Sequence, residues 1–117
     1  MPNQAKSFAR PEETRSFQNG KVDLVELAGN KVGRTHLEPG WRWSDAVKPI
    51  VGTDNCQVAH VGYAISGTLH VVMQDGTEFD INEGEVYEIA PGHDAWVQGD
   101  KTFNSVEFES LAEYAKG

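Results

Sequence analysis

The segment from Asp54 to Glu88, DNCQVAHVGYAISGTLHVVMQDGTEFDINEGEVYE, reads as a series of short β-strands. Ser66-Gly67, Asp75-Gly76 and Asn82-Glu83-Gly84 punctuate it, each setting a small or acidic residue beside a glycine able to take positive φ. Leu69, Val71 and Met73 alternate with Thr68, His70 and Gln74, the period of a strand with one buried face. That alternation turns His70 toward the surface. At the start of the segment, Asp54, Cys56 and His60 have metal-ligand chemistry at even spacing, and a continuous strand sends such positions to one face. They form the first candidate site.

Working outward, residues 1–17 are polar, contain Pro2 and Pro11, and show no sustained period. They read as a mobile arm or an edge extension. Lys21–Ala28 and Lys31–Glu38 alternate as strands, with Gly29-Asn30 as a hairpin signal and His36 in a structural position on the second strand. Pro39-Gly40 ends that strand. A long connection follows, and extended backbone at Trp41-Arg42-Trp43 would put both indoles on one face and Arg42 on the other. Beyond the central segment, Glu85–Ala90, a strand from His93 and Thr102–Glu109 complete at least eight strands. Ser110 and Glu113 then fit the N-cap and N3 positions of a short C-terminal helix. Strands turned every eight to ten residues, with no helices between them, predict an antiparallel sandwich or barrel. The expected organisation is a flexible arm over residues 1–20 and one β-domain over 21–117.

Composition narrows the function. Residues 1–48 hold eight Lys and Arg against six acids, and residues 49–117 hold two against twelve. An acidic second half repels phosphate backbones, which argues against nucleic-acid binding. No run approaches the roughly 20 apolar residues of a membrane span. The N-terminal sequence lacks the apolar stretch of a secretory signal, and the single cysteine permits no intrachain disulfide, so a cytoplasmic protein is expected.

Residues 33–108 resemble the cupin superfamily, small jelly-roll barrels (double-stranded β-helices) marked by G-x5-H-x-H-x3,4-E-x6-G and G-x5-P-x-G-x2-H-x3-N. Aligning Gly67 with the last glycine of the first motif puts Asp54, Cys56 and His60 at its three metal-binding positions. In the second motif Gly84 and Gly92 match, Pro91 stands beside the proline position, and Ala95 occupies the metal-binding histidine. His93, two residues earlier, would share the face of Ala95 in an extended strand. The resemblance implies an all-β cupin barrel, a divalent metal inside it and a homodimer. The expected ligands are Cys56, His60 and His93, with Asp54 or water completing the shell. Thiolate and imidazole donors favour zinc or copper over the ions suited to a purely imidazole–carboxylate set, and zinc is the first expectation. Trp41, Trp43, Tyr63 and Trp96 are expected to line a pocket for a small molecule. Two alternatives stand beside this: a metal-free binding or sensing module, or a Cys56 and His60 that serve only the core.

Overall fold

The computed structural model describes residues 3–56 and 59–108. All strand pairs are antiparallel. Five strands, β1 (Glu13–Phe17), β2 (Gly20–Leu27), β3 (Asn30–Leu37), β4 (His60–Ser66) and β5 (Thr68–Met73), alternate with tight turns and one long connection. Four more follow: β6 (Glu78–Asn82), β7 (Val86–Ile89), β8 (His93–Gln98) and β9 (Phe103–Phe108). They form a six-stranded sheet in the order β1-β2-β3-β9-β4-β7 and a three-stranded sheet in the order β6-β5-β8. The turn spacing predicted an antiparallel sandwich or barrel, and the two packed sheets form the jelly roll that the resemblance implied. The predicted C-terminal helix lies outside the described residues.

The inner faces of the two sheets make one core. From the larger sheet Leu37, Ala64, Tyr87 and Phe103 face Leu69, Val71, Ile81 and Val97 of the smaller. The chain passes between the sheets at Gly67, whose φ is +80° and whose absent Cβ would lie 2.5 Å from the carbonyl oxygen of Thr102. A side chain at this corner would meet both a left-handed backbone and a fixed neighbour.

Part of the N-terminal segment forms an edge strand, β1, in register with β2, which is the edge extension of the two readings given for that segment. Other local expectations change. The hairpin read at Gly29-Asn30 turns instead on Ala28 and Gly29, at φ 51° and 77°, and Asn30 already pairs with Leu27. This register sets Leu24 opposite Gly33 on the inner face, and a one-residue slip would turn every side chain of β2 the other way. The strand expected from Asp54 begins only at His60; Cys56 makes an isolated bridge to His93. Between β3 and β4 the long connection folds into two short helices, α1 (Trp43–Ala46) and α2 (Lys48–Val51). Among the described residues, no helix is long and apolar enough to cross a membrane.

Candidate metal centre

Three elements deliver the central side chains. His60 opens β4, His93 opens β8, and Cys56 ends the connection that carries the two helices. Cys56 is fixed to His93 through the backbone: its N–H donates to the His93 carbonyl at 2.7 Å, and its own carbonyl accepts from Gly92 N–H at 2.7 Å. Alternation along β8 buries His93, Ala95 and Val97 together, so the histidine faces the interior. One ligand atom from each of Cys56, His60 and His93 lies within 4.8 Å of the others.

The hydrogen bonds around the imidazoles set their tautomers. His60 Nδ1–H donates to Glu107 Oε1 at 2.8 Å, and His93 Nδ1–H donates to the Ala90 carbonyl at 2.8 Å. Nε2 is then the nitrogen each ring would offer a metal; on His60 it lies 3.6 Å from Cys56 Sγ and, with the pKa raised to about 10, carries a proton that an incoming ion would displace. Metal-bound histidines are typically held this way, with the second nitrogen donating to a carboxylate or a backbone carbonyl. Cys56 and His93 are buried, while the His60 side chain keeps 24% of its surface, so the cluster is reachable from solvent.

Electrostatics couple the same groups. Burial opposes a charge on His60, but the Glu107 carboxylate, helped by Cys56, raises its pKa to about 10. Burial pushes Glu107 upward, yet the charge and hydrogen bond of His60 and the Tyr87 hydroxyl outweigh it and hold the carboxyl below its ordinary value. Burial, followed by the Glu107 charge, pushes the Tyr87 phenol well above its usual range, so it stays a hydroxyl and donates to Glu107 Oε2.

The structure does not bring all the sequence candidates together. Asp54 is exposed and pairs with Lys48 at 3.4 Å, because residues 54–60 are not one continuous strand. Trp41 and Trp43 are buried in the core. Tyr63 and Trp96 point outward, since Gly62 and Ala64 take the inner positions of β4 and Ala95 and Val97 those of β8. Trp96 lies between His70, with ring centroids 4.7 Å apart, and Arg42, whose guanidinium sits 4.1 Å from the indole centroid. Arg42 also reaches Asp94 at 3.8 Å, and Asp94 accepts from Ser44 N–H at 3.1 Å, which ties the helical connection to β8.

Sequence reasoning missed Glu107 and Tyr87. Glu107 shares the inner face of β9 with Phe103 and Ser105, and Tyr87 faces it from β7 above Gly62.

No protein-family model matches this sequence, and no curated protein matches it. Solved structures do. The chain is similar to a protein of unknown function from Rhizobium leguminosarum bv. viciae 3841, with 18% identity, TM-score 0.63, and 92% of this chain and 97% of the other covered. A variant of Bacillus subtilis oxalate decarboxylase matches at 19% identity and TM-score 0.64, covering 93% of this chain but 30% of the enzyme. The EutQ protein of Clostridium difficile matches at 16% identity and TM-score 0.50 over 77% of this chain and 68% of its own. At these identities the likeness is one of fold alone, and it agrees with the jelly-roll barrel that the cupin resemblance implied.

Proposed function

We propose that this protein is a metal-binding cupin whose ion is held by Cys56 Sγ, His60 Nε2 and His93 Nε2. The observation that supports it is the pair of Nδ1–H groups donating to Glu107 and to the Ala90 carbonyl, in a cluster whose ligand atoms lie within 4.8 Å of one another and where His60 Nε2 is 3.6 Å from the Cys56 sulfur. One sulfur and two imidazole donors suit zinc, and three protein ligands leave a position for water or a small molecule. A bound ion would supply Lewis acidity at that position. The residues around it orient the ligands and limit solvent to the His60 side. Asp54 is no part of the proposed shell.

Metal analysis of the purified protein and zinc titration followed by thermal unfolding test the reading. It expects about one equivalent of bound ion and a higher melting temperature with zinc, both lost in Cys56→Ser. A wild type that takes up no ion and gains no stability from zinc, copper, iron, nickel or manganese would contradict it.

A second reading, a small-molecule module without metal, draws on the Trp41 indole N–H, which is buried with no hydrogen-bond partner among the described residues. A buried donor of this kind is normally satisfied by protein, water or ligand. Small molecules that stabilise metal-free protein, with the effect lost on Trp41→Phe, would favour this reading.

A further inference from the structure

The donor set of Cys56, His60 and His93 does not by itself separate zinc(II) from copper(I), since thiolate and imidazole serve both ions. Charge does. Glu107 stands behind His60 with both oxygens accepting hydrogen bonds, Oε1 from His60 Nδ1–H and Oε2 from the Tyr87 hydroxyl. A carboxyl with both oxygens used as acceptors is ionised. With Cys56 bound as a thiolate and both histidines neutral, the site and its immediate support carry two negative charges. Asp54 adds no charge to the cluster, since it is exposed and turned to Lys48.

A divalent ion neutralises this pair of charges. A monovalent ion leaves one negative charge uncompensated in a largely buried setting, which is unfavourable at low dielectric. We propose that Glu107 is the specificity-determining residue of the centre and sets its preference for a divalent over a monovalent ion. Tyr87 acts through Glu107 as a positioning residue. This inference rests on the metal reading above.

Glu107→Gln tests it, because glutamine keeps the size and the acceptor for His60 but removes the charge. Zinc(II) affinity, and copper(I) affinity under reducing conditions, are measured by competition with chromophoric chelators for wild type, Glu107→Gln, Glu107→Asp and Tyr87→Phe. The zinc affinity of Glu107→Gln should fall by about tenfold or more, in the range seen when outer partners of ligating histidines are removed. Copper(I) affinity should fall by a clearly smaller factor, so the zinc-to-copper ratio drops. Glu107→Asp and Tyr87→Phe keep the charge and should keep the ratio even where both affinities weaken. Equal losses for the two ions in Glu107→Gln would overturn the proposal and reduce Glu107 to an orienting group. A ratio shift in Glu107→Asp would overturn it too, and that variant carries the test if Glu107→Gln does not fold. Wild type binding neither ion is a different failure, that of the metal reading itself.

Discussion

Gly62→Ala probes the support of the centre without touching a proposed ligand. An added Cβ would lie 2.7 Å from the Tyr87 hydroxyl oxygen, 2.8 Å from its Cζ and 2.7 Å from the Val106 carbonyl oxygen. The carbonyl belongs to the neighbouring strand of the same sheet and cannot step aside alone. Tyr87 must move. Overpacking of this kind costs about 1–3 kcal/mol. Losing the hydroxyl's bond to the charged Glu107 adds about 1.5–3 kcal/mol. The sum is about 2.5–6 kcal/mol, and at roughly 4 °C per kcal/mol for a domain of this length the melting temperature should fall by at least about 10 °C. Urea unfolding followed by tryptophan fluorescence measures the loss directly. Combining Gly62→Ala with Tyr87→Phe should cost less than the two single changes together, because both remove the same hydrogen bond. A loss below about 1 kcal/mol, or strict additivity, would refute the packing argument.

Two further outcomes follow from the surface chemistry. His70 donates to Asp80 at 2.6 Å and to Glu78 at 2.6 Å on β6, and its other neighbour is Trp96 of β8, with Arg42 beyond it. The bonds to Asp80 and Glu78 raise its pKa above the ordinary 6.5, so this stabilisation is fully present below pH 6.5 and is lost as pH rises through the folded-state value. Melting temperatures from pH 6 to pH 9 should fall more for wild type than for His70→Gln, and parallel curves would contradict this. Asp54→Asn should leave zinc affinity unchanged within about twofold, because its exposed carboxylate serves Lys48 at the start of α2. A tenfold loss in the same titration would place Asp54 in the shell after all.

The meander was legible in the sequence because glycine-marked turns and period-two alternation agree from Gly67 to Gly84. The cluster was partly legible. Cys56, His60 and His93 carry unambiguous ligand chemistry, and the burial of His93 follows from its alternation with Ala95 and Val97. Asp54 was misplaced because a spacing argument holds only while the backbone stays extended. Glu107 was hidden by an inverted pattern on β9. Val106 and Phe108 face outward there, with Phe108 38% exposed, while Ser105 and Glu107 face inward. Hydrophobicity alone assigns that strand the wrong way round. The two helices after Trp41 were illegible for another reason: each has four residues, too few to display a helical period. Trp41 and Trp43 then went into the core while Tyr63 and Trp96 face outward from β4 and β8, so the four aromatic residues line no common pocket.

The proposed centre places one metal ion among Cys56, His60 and His93. Anomalous diffraction from crystals of the zinc-loaded protein, recorded on both sides of the zinc absorption edge, tests it most directly. The expected result is a single strong edge-dependent peak at about 2.3 Å from Cys56 Sγ and about 2.0–2.1 Å from the Nε2 atoms of His60 and His93. A map with no peak there, or with the zinc peak at Asp54 or among the surface acids, would contradict it.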